Sequence, residues 1–73
     1  MIMELWIARD KGTNELWGYT DKPVLNADSG MYSADSSLEH TISYELCREW
    51  FPEITFENSP QKVRLEIVKE EEV

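Results

Sequence analysis

One cysteine, one histidine and three glycines are scattered through 73 residues, and each shortage removes a kind of chemistry. A single cysteine, Cys47, forms no disulfide within the chain, and a lone thiol suits a reducing compartment, so a cytoplasmic location is expected. Cys47 with the single histidine His40 falls short of a tetrahedral nitrogen–sulfur metal site. Gly12, Gly18 and Gly30 lie too far apart to form a phosphate-cradling loop. No apolar run approaches the roughly 20 residues of a membrane-spanning helix, and Met1-Ile2-Met3 runs into Glu4 without the pattern of a secretory signal. Basic residues are also scarce, 7 against 15 acidic, for a net charge of −8. The excess is even, since residues 1–40 and 41–73 each carry −4. Without a basic patch to hold phosphates, direct nucleic-acid binding and attachment to anionic membranes are both disfavoured. Basic or neutral partners are expected.

What the chain does have is a repeated tripeptide. Glu4-Leu5-Trp6 and Glu15-Leu16-Trp17 flank the polar run Arg9-Asp10-Lys11-Gly12-Thr13-Asn14. This predicts a β-hairpin, with strands over about 3–9 and 15–20 and Gly12 supplying a positive φ in the loop. The first strand is apolar on both faces, which makes it covered on both sides or central in its sheet. Pro23 stops pairing after the second strand. Two registers compete. If Arg9 pairs with Asn14, Trp6 lies opposite Trp17. If Asp10 pairs with Asn14, Ile7 lies opposite Trp17 and Leu5 opposite Tyr19. The first is preferred, because it gathers Trp6, Trp17 and Tyr19 on one face; a one-residue slip exchanges the faces.

Residues 21–37 read as loop, rich in Asn, Asp, Ser and Gly, with Met31 and Tyr32 placed to pin it to the sheet. Residues 38–51 are ambiguous. The capping-box pattern Ser36-Ser37-Leu38-Glu39 and the spacing of Leu38, Ile42, Leu46 and Trp50 favour a helix. The composition of His40-Thr41-Ile42-Ser43-Tyr44 favours a strand. A short strand at about 40–44 and one or two helical turns at 45–51, ended by Pro52, reconcile the two. Ile54-Thr55-Phe56 reads as a short extended piece. Alternation of Val63, Leu65 and Ile67 with polar residues gives a last strand with one wet face, and residues 69–73 form a fraying acidic tail. The expectation is one small α+β domain, β-rich, with an antiparallel sheet of three to four strands and one short helix.

Two blocks resemble a known group. Leu5-Trp6-Ile7-Ala8-Arg9-Asp10-Lys11 with Lys22-Pro23, and Phe51-Pro52-Glu53-Ile54-Thr55-Phe56-Glu57-Asn58-Ser59-Pro60, are similar to small uncharacterised proteins of gut bacteria and their phages or mobile elements. The chain departs from the group's Lys-Asp-Gly at the loop, where Lys11-Gly12-Thr13-Asn14 stands. The resemblance implies a shared fold and a mobile-genome setting, and it carries over no functional residue.

Catalytic patterns are thin. Cys47 lacks a family-like context and reads as a small buried hydrophobe. Asn26, Asp28 and Gly30 have only a superficial likeness to a calcium loop, because Ser37 stands where a bidentate glutamate is required. Glu45, Glu49, Glu53 and Glu57 recur every four residues, but Pro52 interrupts any common helical face. No metal, cofactor or catalytic residue is assigned. Eight aromatics are more than a small sheet covers easily. The reading is therefore a small acidic non-enzymatic interaction or accessory protein. It binds a protein partner or itself, as a homodimer, through an aromatic sheet face or an edge strand. Trp6, Trp17, Tyr19 and Trp50 are the candidate contact residues. The alternative is an acidic nucleic-acid mimic that inhibits a host or defence protein. A third is an enzyme using Cys47 or His40, which requires a pocket holding at least two reactive groups.

Overall fold

A computed structural model describes residues 2–70 of the chain. Six strands follow in order: β1 (Ile2–Arg9), β2 (Leu16–Tyr19), β3 (Val24–Asn26), β4 (Met31–Ser33), β5 (Ser43–Leu46) and β6 (Gln61–Glu66). Four of them make an antiparallel sheet in the order β5-β2-β1-β6, and β3 and β4 form a separate two-stranded hairpin. The expected antiparallel sheet is present, with the doubly apolar β1 inside it. No helix occurs among the described residues.

The N-terminal hairpin adopts neither of the two registers considered. Trp6 lies opposite Tyr19 and Ala8 opposite Trp17. The loop is two residues longer than in the preferred register and closes where the Asp10 N–H donates to the Glu15 carbonyl at 2.9 Å. A two-residue shift preserves the side-chain alternation, so Trp6, Trp17 and Tyr19 still share one face. Gly12 takes the positive φ expected of it (+86°), and Asn14 takes another (+60°).

The faces differ in character. Leu5, Ile7 and Leu16 form one core with Ile54, flanked by Met3, Leu46, Phe51, Val63 and Leu65. The opposite face gathers Ala8, Tyr19 and Tyr32, flanked by Trp6, Trp17, Ala34 and Phe56. Residues 21–37, expected to be loop, supply the cover for this aromatic face. Their β3–β4 turn is shaped by the Asn26 carboxamide, which accepts the N–H groups of Asp28 and Ser29, so the apparent calcium loop is a side-chain-stapled hairpin turn. Tyr32 does pin the segment: it is buried, and its carbonyl accepts the Tyr19 hydroxyl at 3.2 Å.

The helical turns expected at 45–51 are absent. Leu46 pairs with Leu16 and Tyr44 with Gly18, which extends the sheet past β2. A helix through this stretch would send the Arg48 carbonyl to the N–H of residue 52, and Pro52 has none. The Ser36-Ser37-Leu38-Glu39 pattern caps no helix either, as Asp35 accepts the N–H and hydroxyl of Ser37 in a local turn. Residues 54–56 belong to no strand; the Asn58 side chain closes them into a turn by accepting from the Thr55 N–H and donating to the Glu53 carbonyl. β6 starts and stops earlier than the alternation suggested, at 61 and 66. Lys69 and Glu70 of the expected tail are exposed, and residues 71–73 lie outside the described residues.

The tips of the two hairpins meet at Gly30. Its φ is +69°, its carbonyl accepts the Lys11 N–H at 2.9 Å, and an added Cβ would sit 2.9 Å from the Lys11 Cβ. Gly30→Ala therefore combines left-handed strain with a clash close to the backbone. It should lower stability by about 1–3 kcal/mol, read as an earlier urea midpoint with unchanged slope.

Candidate functional site

Period-two alternation carries Leu5 and Ile7 to the aliphatic face and carries Arg9 there with them. Arg9 is 6% exposed. Its guanidinium has five N–H donors in a rigid fork, and all five reach backbone carbonyls. Nε donates to Ile54 at 2.6 Å. Nη1 donates to Asn14 at 3.0 Å and to Arg48 at 2.8 Å. Nη2 donates to Trp50 at 3.0 Å and to Phe51 at 3.2 Å. No carboxylate among the described residues takes part. Asn14 and Phe51, the non-glycine residues with positive φ among the described residues, both turn their carbonyls to this one side chain. Arg9 thus fixes residues 48–54 over one end of the aliphatic face, where Ile54 is fully buried and Phe51 half-buried.

The cover is incomplete. Between the sheet and this segment lies an open groove of about 420 Å³, walled by Leu5, Ile7, Leu46, Trp50, Phe51 and Leu65. Trp50 stands at its rim, 56% exposed. Tyr44, on the edge strand β5, is exposed on the same face.

The aromatic face is closed by comparison. Tyr19 is 2% exposed. Trp6 and Trp17 are half-buried; the Lys22 and Lys62 ammonium groups lie 5.8 and 5.9 Å from the Trp6 ring, and the Trp17 indole N–H points to Glu15 at 3.4 Å. The structure therefore brings Trp6, Trp17 and Tyr19 together and leaves Trp50 on the opposite side of the sheet. The alternation Leu5-Ile7-Arg9 was the signal for a buried cation, and the neighbouring polar residues masked it as turn.

Asp10 was masked in the same way. It is 3% exposed, and its Oδ1 accepts the Tyr32 N–H at 2.8 Å. Burial pushes its carboxyl above the ordinary 3.8, against the opposing effect of the Tyr32 N–H. Burial, with the Asp10 charge adding to it, pushes the Tyr19 hydroxyl up to about 12 and raises that of Tyr32. Asp10 lines both a small groove of about 210 Å³ beside Trp17 and Tyr19 and a larger one of about 690 Å³. The larger groove carries mixed charge from Lys11, Arg48, Glu49 and Glu57.

Cys47, expected to be buried, is exposed. Leu46 turns inward as the last residue of β5, and Cys47 opens the turn in which the Trp50 N–H reaches its carbonyl at 3.0 Å. His40 is also exposed, and none of the three grooves is lined by either residue. Among the described residues no cluster of three or more His, Cys, Asp or Glu is placed to hold a metal, and no helix is long and apolar enough to cross a membrane. Comparison of the chain with family models, curated proteins and solved structures gave no match.

Two outcomes test this geometry. Arg9→Lys keeps the charge but offers three donors in place of five, stranding carbonyls in the 48–54 segment. It should cost about 3 kcal/mol or more in urea unfolding. Asp10 binds a proton more tightly folded than unfolded, so its contribution to stability is full below 3.8 and is lost as pH rises through the raised folded value. Asp10→Asn keeps an acceptor for the Tyr32 N–H. Its melting temperature relative to wild type should climb across that window, and a difference independent of pH would refute the assignment.

Proposed function

We propose that the chain is a non-enzymatic interaction protein that holds an apolar segment of a basic or uncharged protein partner in the aliphatic groove beside Trp50. The observation that carries this reading is the groove itself: aliphatic walls, open to solvent, with a large exposed indole at the rim. Large exposed aromatics beside apolar clefts are what protein contacts use as anchors. The surrounding charge of −8 selects against acidic partners. The sequence pointed to an aromatic sheet face, or an edge strand, as the contact surface. The aliphatic face is the better candidate, because β3–β4 and two lysines already occupy much of the other.

The test is affinity capture from the native host by wild type and Trp50→Ala, at low and high salt, with bound proteins identified by mass spectrometry and folding checked by circular dichroism. A protein retained by wild type at both salt concentrations and lost with Trp50→Ala supports the groove. Capture that ignores Trp50→Ala and disappears in salt overturns it in favour of an acidic surface contact.

A further inference from the structure

We propose that two copies of this chain associate through their β6 edges, antiparallel and centred on Leu65, to form one continuous eight-stranded sheet. Leu65 also walls the Trp50 groove, so the paired edge borders that groove, but Trp50 itself takes no part in the pairing.

β6 pairs with β1 on one side, and no strand pairs with its other side among the described residues. An open edge offers its N–H and C=O groups to another strand, and charged side chains decide which strands are accepted. β6 carries its own complement. Glu4 on β1 bridges both Lys62 at 3.0 Å and Arg64 at 3.4 Å, so two cations share one carboxylate. Two residues beyond Arg64, on the same face, Glu66 has no cation within 4 Å among the described residues. Each of these imbalances is what the other requires, and a two-fold axis brings them together.

The register follows from alternation. For both copies to keep their aliphatic faces on the same side, the axis must pass through a residue and not between two. An axis at Val63 sets Lys62 against Arg64 of the second copy. Axes at Lys62, Arg64 or Glu66 set like charges directly opposite themselves. Leu65 is the centre among these that sets Arg64 opposite Glu66 of the second copy, twice by symmetry, and places each Arg64 between Glu4 and a foreign Glu66. On the other face Leu65 meets its own copy, with Met3 beside it on each β1. The row Met3–Leu65–Leu65–Met3 then continues the aliphatic surface of one copy into that of the next. Opposite charges and apolar pairs directly across a ladder are the units that stabilise a sheet. In this register residues 64–66 of the two β6 strands face one another and residues 61–63 face 67–69 of the second copy, a small interface, so the dimer is expected to be weak and to exchange with monomer.

Sedimentation of the full chain over a range of concentrations at physiological ionic strength tests this. Wild type should shift from one chain to two, and Trp50→Ala should behave like wild type. Arg64→Glu and Glu66→Arg should each stay monomeric while keeping the wild-type circular dichroism spectrum. Mixed together, these two variants should form a heterodimer, because each reversed strand complements the other. The proposal is overturned if wild type stays monomeric throughout, if either single variant dimerises like wild type, if the mixture does not associate, or if Trp50→Ala abolishes the dimer.

Discussion

Residues 48–54 have no strand or helix to absorb their carbonyls, and the Arg9 guanidinium absorbs four of them, adding Asn14 from the hairpin loop. Much else in the structure depends on this. Buried carbonyls require donors, and a buried cation requires compensation; here each requirement meets the other without a carboxylate. Because Arg9 closes β1, the contact ties the central strand to a segment about 40 residues away. It also holds Phe51 in a left-handed conformation that a bulky residue adopts only under constraint. The wall of the aliphatic groove is therefore set from below by the sheet.

Arg9 and Asp10 are adjacent and point to opposite faces, and they organise those faces by complementary means. Arg9 supplies donors to a segment with surplus acceptors. Asp10 supplies one acceptor to the N–H of Tyr32, drawing β4 onto the aromatic face. Tyr32 then extends the link, its hydroxyl donating to the Ser59 carbonyl at 2.9 Å while the Ser59 hydroxyl accepts the Arg9 N–H at 3.0 Å. Two neighbouring side chains at the end of one strand thus attach both covering layers to a four-stranded sheet. A 73-residue chain without a disulfide has little core to spare, and polar ties between backbone and side chain make up part of the difference.

Legibility in the sequence followed the range of the interactions. The N-terminal hairpin, the central position of β1, the grouping of Trp6, Trp17 and Tyr19, and the pinning role of Tyr32 all rest on alternation and turn chemistry, and all were readable. The exact register was not, because loop closure by Asp10 and Glu15 has no strong local signature when Gly12 and Asn14 both accept positive φ. The helix reading of 45–51 failed because its evidence was local spacing, whereas the edge of β2 and the reach of Arg9 are distant. The β3–β4 hairpin was hidden by strands of three residues with mostly exposed side chains, too short to show a pattern. Cys47 was misplaced for a related reason: burial was inferred from residue type, and the end of β5 decides it. For the candidate site, Trp50 was named from the sequence, but its separation from the other three aromatics appears only once the two sheet faces are built.

The Arg9 contacts have one more consequence. All five acceptors are main-chain atoms, which every residue possesses, so the anchor specifies the path of the 48–54 segment and is indifferent to most of the side chains it carries. Arg48 and Trp50 project outward from a backbone whose course they do not determine. Shape and chemical identity are uncoupled here, so that this part of the surface can be rewritten residue by residue while the platform beneath it stays the same.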